Sequence, residues 1–208
     1  MRVRTLSVDL DRGLGLDVAI LDEAATVADL CEAYAAASDD ENLDKEERFF
    51  PGGPQRGTCF GCTFCCGRFN IFLSMIDVLQ LSMAEGISRD EFIAYCTTYE
   101  PWKVDRMRLA DPVSYCLRED NQGCRKYEIR PLICRLFICC PHTERARQLI
   151  AAVNRLAEED LVNWRNQRPD PANPFHGKFS YSQIRLRDCV SDELWHDLFT
   201  PEPHSRPA

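Results

Sequence analysis

A chain of 208 residues with 45% hydrophobic side chains has enough apolar surface for one sizeable core. Its formal charge of −8 argues against broad nucleic-acid binding, because no basic face is available to displace counterions from phosphates. Twelve cysteines are the departure from an ordinary composition, since a chain of this length does not need disulfides to compensate for a small core.

The first residues, Met1 to Gly15, alternate charges with isolated Leu and Val and offer no apolar run of the kind an export signal uses. No stretch approaches the roughly 20 apolar residues of a membrane span, the most apolar one, Leu132 to Cys140, being interrupted by Arg135. A cytoplasmic protein is therefore expected. In that reducing compartment clustered cysteines read as metal ligands or reactive thiols before they read as disulfides.

In chain order, Glu23 to Ala37 predicts a helix with Val27, Leu30, Cys31 and Tyr34 on its apolar stripe. The acidic run Asp39 to Glu47 and the Pro/Gly-rich Phe49 to Pro54 read as a linker. Ser74 with Asp77, and Ser88 with Glu91, place a hydroxyl three residues before a carboxylate and open two short helices. The apolar positions of these helices (Ile76, Leu79, Leu81, Met83; Phe92, Ile93, Tyr95, Cys96) are expected to cover a metal region, with Cys96 a core thiol.

Val113 to Leu117 and Cys124 to Ile129 resemble two strands of a short hairpin, bringing Cys116 near Cys124. Pro131 suits the first turn of a helix carrying Cys134 into the core. Thr143 to Gln167 gives the clearest helical stripe, Lys178 to Leu186 alternates like a strand, and Ser191 caps a last helix through Phe199. The expected divisions are an N-terminal helix and linker over 1–56, a cysteine-cluster metal domain over 57–200 and a disordered tail over 201–208. The expected fold class is α+β, mainly helical: one compact domain with a short hairpin and cysteine-rich loops wrapped around a metal centre.

The chemistry lies in two blocks. Cys59, Cys62, Cys65 and Cys66, interleaved with glycines, let successive sulfurs face one centre, the spacing that zinc sites and iron–sulfur clusters share. Cys116, Cys124 and Cys134 follow, then Cys139 and Cys140, with His142 able to complete a second site or simply to precede a helix. Positive charge accompanies the cysteines: 56–68 carry a net +2 and 116–147 a net +3, as thiolates would require, although chance unevenness gives the same pattern.

Cys59-x2-Cys62-x2-Cys65-Cys66, then Cys116-x7-Cys124-x-Lys-Tyr127-x2-Arg130-Pro131-x2-Cys134-Arg135-x-Phe137, resembles the YkgJ-like cysteine-cluster proteins, a zinc- or iron-chelating domain. The resemblance spans about residues 57 to 140 and includes Asp77 and the Phe92 to Tyr95 region. It implies a metal domain, with distant kinship to flagellin lysine N-methylases that use S-adenosylmethionine, though no residue here is assignable to that cofactor.

Tyr127, Arg130 and Arg135 are able to donate hydrogen bonds to thiolate or sulfide around the cofactor, or alternatively to bond loop carbonyls and pack in the core. An iron–sulfur cluster, of the 4Fe-4S type, accounts for more thiolates than one tetrahedral zinc requires, and zinc is the alternative. Three roles follow: a redox or cluster-dependent protein with a redox partner, a structural metal module that docks a protein partner, or a methyltransferase. No nucleic-acid or membrane partner is expected, and no Ser/His/Asp set, phosphate loop or paired-carboxylate motif marks another active site.

Overall fold

The computed structural model describes residues 1–11, 13–38, 43, 69–100, 104–116 and 124–200. The block Cys59 to Cys66, most of the linker and the tail lie outside the described residues.

The N-terminal residues, for which no element was expected, form an antiparallel hairpin. Strand β1 (Val3–Leu10) pairs with β2 (Gly13–Ile20), from Val3 opposite Ile20 to Leu10 opposite Gly13. Gly13 turns the chain at φ +110°, a region that costs glycine little and other residues much. The signal was present in the alternation of Leu6, Val8 and Leu10 before an Asp-x-Gly turn. The outer edge of β2 does not face solvent. Leu16 N–H donates to Pro141 O (2.8 Å), Thr143 N–H donates to Leu16 O (2.9 Å), and Thr200 N–H donates to Ile20 O (2.9 Å). Two late segments thereby extend the hairpin and satisfy an edge that would otherwise be open to pairing.

Helix α1 (Val27–Ser38) begins at Val27 and not at Glu23, because Thr26 caps it. The Asp29 carboxylate accepts the Thr26 N–H (2.8 Å) while Thr26 Oγ1 accepts the Asp29 N–H (3.3 Å). Cys31 packs in its buried stripe as expected. Helices α2 (Met75–Glu85) and α3 (Arg89–Cys96) both start at the expected hydroxyls, Ser74 and Ser88, each in a complete capping box. Gly86 ends α2 at φ +68°. Ile76, Leu81, Phe92 and Ile93 are buried, but Met83 (79% exposed) and Tyr95 (81%) stand in solvent. Each helix buries a single stripe, so fewer of these apolar residues are buried than expected.

A second antiparallel pair, β3 (Thr97–Glu100) and β4 (Val104–Leu109), follows. Helix α4 (Pro112–Cys116) then replaces the first strand expected at Val113 to Leu117, and a 3-10 turn at Tyr127–Ile129 replaces much of the second. The reason is local: Pro112 pre-sets the helical φ, and Asp111 receives the Ser114 N–H (3.1 Å) and hydroxyl (2.7 Å). The turn expected at Asp120 to Gly123 lies outside the described residues. Helix α5 (Leu132–Arg135) is a single turn with Pro131 at its N-cap, and it leaves Cys134 half-buried, packed against a core and not fully inside it.

Helix α6 (Glu144–Arg165), capped by Thr143, is the expected long helix. The expected strand over Lys178 to Leu186 is instead a pair of 3-10 turns, Tyr181–Gln183 and Leu186–Cys189. Ser180 and Gln183 form a capping box that commits the segment to a turn. Helix α7 (Asp192–Leu198) starts at Ser191 as expected.

The fold class is thus α+β, mainly helical, with two small sheets. Two hydrophobic cores share α6. Ala146, Leu149, Val153 and Ala157 pack with the hairpin, α1 and the C-terminal turns, while Leu161 and Val162 pack with α2, α3 and β4. Each fully buried Leu or Val there contributes roughly 1.5–3 kcal/mol. Buried carboxylates join the layers. Asp17 on β2 accepts from Thr143 Oγ1 (2.6 Å) and Arg145 Nε (2.9 Å), and Glu158 on α6 meets Arg106 Nε on β4 at 3.0 Å. Among the described residues no helix is long and apolar enough to cross a membrane.

Candidate metal centre

Of the nine cysteines expected as ligands, Cys116, Cys124, Cys134, Cys139 and Cys140 are described, and Cys59, Cys62, Cys65 and Cys66 lie outside the described residues. The described five divide between the two cores. Cys116, Cys124 and Cys134 pack on the smaller one, the α2/α3/β4 core, together with Cys96. Cys140 packs in the larger one, and Cys139 is buried beside it in sequence.

The first three come from different stretches of the chain. Cys116 closes α4 and is 4% exposed. Arg125 holds the returning chain against it: its backbone N–H donates to Cys116 O (2.9 Å), its Nε to Tyr115 O (2.6 Å) and its Nη2 to Ser114 O (3.0 Å). The carbonyls at the end of α4 are thus satisfied by Arg125, the residue after Cys124, which lies against a helix end and not against the strand expected there. Lys126 pairs with Glu85 at the end of α2 and lies 5.1 Å from the Tyr115 ring centre.

Cys134 is the third residue of α5. Its approach is built from cations bonding carbonyls: Arg130 Nε donates to Tyr127 O (3.0 Å) with its guanidinium 3.8 Å from the Tyr127 ring centre, and Arg135 donates to Arg130 O (2.6 Å) and Glu128 O (3.1 Å). Tyr127, Arg130 and Arg135 therefore fold the 127–135 segment onto itself. From outside, Asp77 of α2 accepts the Leu132 N–H at the start of α5 (3.0 Å).

Cys96 sits at the end of α3, half-buried, and burial first, then the Glu85 carboxylate, raise its thiol above the ordinary range. It is kept neutral, as befits the core thiol expected from the sequence. Burial likewise pushes Cys31 up to about 12, with the Arg135 guanidinium pulling the other way. His142 lies just before the α6 cap, its Nδ1 2.8 Å from Cys140 O and its ring stacked on Tyr34 at 6.0 Å. His176 lies 3.5 Å from Asp160, and His196 is on α7.

Among the described residues no three His, Cys, Asp or Glu side chains stand close enough together to hold an ion. Thiols suit zinc and iron, and the described half of the set fits those metals in donor type and in its basic surroundings. Residue types and spacing had indicated both cysteine blocks. They had not indicated the tie between Asp77 and α5, nor Tyr181, whose hydroxyl donates to the same carboxylate (2.5 Å) from 104 residues away.

No curated protein and no solved structure matches the chain. A family model, CxxCxxCC, described as a putative zinc- or iron-chelating domain, matches residues 58–167. That stretch runs from the first cysteine block through Cys116, Cys124 and Cys134 to the end of α6, and the chain belongs to the CxxCxxCC family.

Proposed function

We propose that this protein binds an iron–sulfur cluster through thiolates of both cysteine blocks and uses it in a redox or cluster-dependent role in the cytoplasm. The observation that carries the proposal is the packing of Cys116, Cys124 and Cys134, from three separate stretches of the chain, on one small core, with the basic residues Arg125, Lys126 and Arg130 between them in sequence. Three thiols on one core, added to the four of Cys59 to Cys66, exceed what one tetrahedral zinc takes.

Phe69 supports a shared centre. It packs its ring on Phe137 (5.7 Å between centroids), three residues past Cys134, and only Gly67 and Arg68 separate it from Cys66. Covalent reach alone thus keeps the end of the first block within about 11 Å of the Phe69 α-carbon. When bound, a cluster supplies one-electron chemistry, and the protein's own groups hold it, shield it from water and offset its charge. Electron transfer of this kind calls for a redox partner.

A structural zinc or iron module that docks a protein partner is the second reading. It is favoured by Arg135, whose guanidinium is committed to the carbonyls of Arg130 and Glu128 and to Gln80. Metal and acid-labile sulfide analysis of anaerobically purified protein separates the two. Stoichiometric iron and sulfide with thiolate-to-iron absorption are expected. A colourless protein holding one tight zinc would replace the cluster with the structural module.

A further inference from the structure

The Asp77 carboxylate is 1% exposed and serves two helices at once. One oxygen accepts the Ser74 N–H (2.8 Å), completing the capping box of its own helix, α2. The other accepts the Leu132 N–H of α5 (3.0 Å) and the Tyr181 hydroxyl (2.5 Å). Pro131, the N-cap of α5, offers no side-chain cap, so Asp77 supplies from a distance what the local sequence lacks. Tyr181 is itself buried, and its hydroxyl also lies 2.8 Å from Ser74 Oγ. With two donors on one oxygen, that oxygen has a single place to stand, and the start of α5 is held with it. Cys134 is two residues further along this one-turn helix. Tyr181 lies beyond residues 58–167, on a C-terminal turn packed in the other core.

We propose that Asp77 and Tyr181 are positioning residues for the metal centre: through the Leu132 N–H they set where Cys134 stands, so that the C-terminal segment governs how tightly the metal is held. This rests on Cys134 being a ligand. Neither residue touches the metal. Outer partners of this kind act by holding a ligand in one orientation, and their loss typically weakens metal binding about 10–100-fold.

Tyr181→Phe in the full chain tests it, since the ring is kept and only the hydroxyl removed. Zinc affinity is read by competition with a chromophoric chelator, and ligand geometry by the visible spectrum of the cobalt(II)-substituted protein. The expected result is zinc binding at least about tenfold weaker, with a shifted cobalt spectrum. Trp195→Phe, altered in the large core where it stacks on Phe199, is the control for general loosening and is expected to keep wild-type affinity. Affinity within twofold of wild type in Tyr181→Phe, or an equal loss in Trp195→Phe, overturns the proposal. If Tyr181→Phe does not fold, hydrogen exchange at the Leu132 amide of the unaltered protein decides: slowing on metal loading supports the coupling, and an unchanged rate refutes it. Unaltered protein that takes up neither zinc nor iron overturns the metal function as well, an outcome distinct from the others.

Discussion

Glu158 gives the fold a pH dependence whose sign is opposite to that of an ordinary ion-paired carboxylate. Its side chain is 9% exposed on the inner face of α6, with Arg106 Nε at 3.0 Å. Burial raises its pKa from 4.5 to about 7, and the Arg106 guanidinium, itself half in solvent, offsets only part of that cost. The folded state therefore holds the Glu158 proton more tightly than the unfolded chain does. The stability this contributes is fully present below about 4.5 and is lost as pH rises to about 7, a change of about 3 kcal/mol. Glu158→Gln keeps an acceptor for Arg106 and removes the titration. Urea unfolding followed by far-UV circular dichroism, at equal metal loading, is expected to find the two proteins similar at pH 5. At pH 8 Glu158→Gln is expected to be more stable by about 2 kcal/mol, once the lost charge on the Arg106 pair is allowed for. Parallel pH profiles would refute the reasoning and show Glu158 ionised in the fold throughout.

Asp17→Ala should destabilise by about 2–4 kcal/mol, because Arg145 and Thr143 lose a buried acceptor; thermal melts measure it. Although burial opposes its charge, the hydrogen bonds from Arg145 and Thr143 hold the Asp17 pKa below the usual 3.8, so the stability it adds is present above that value and is lost as pH falls further. Gly15→Ala places a Cβ 2.3 Å from Leu10 Cδ1 and 2.8 Å from Pro141 O, and is expected to cost about 1–3 kcal/mol in urea unfolding. Chelation of the metal should lower the melting temperature by roughly 10 °C, from about 4 kcal/mol of binding free energy at a thousandfold excess over Kd, and re-addition should restore it. An unchanged melt would count against a metal that ties the two cysteine blocks together.

What was legible in the sequence was local. Ser74, Ser88, Thr143 and Ser191 each announced a helix within four residues, and each helix is there. Where a local start signal competed with a β-like composition, the start signal won. Asp111-Pro112 turned Val113 to Cys116 into helix, and Ser180 with Gln183 turned the Tyr181 segment into a 3-10 turn. The hairpin at Val3 to Ile20 is hard to read because charges separate its apolar residues, and the partners of its outer edge lie more than a hundred residues later. The candidate site divides in the same way. Cysteine spacing and the Arg130-Pro131 pattern are local and readable, whereas the Asp77, Tyr181 and Leu132 junction joins three distant segments and leaves no periodicity behind.

The covered edge of β2 has a consequence during synthesis. The carbonyl of Ile20 takes its hydrogen from Thr200, and that of Leu16 from Thr143, so a nascent hairpin leaves the ribosome long before either donor exists. At about 5–20 residues per second, Ile20 waits roughly 10 to 40 s for Thr200. Throughout that interval β2 presents an open ladder to whatever passes, and segments translated more than a hundred residues later close it.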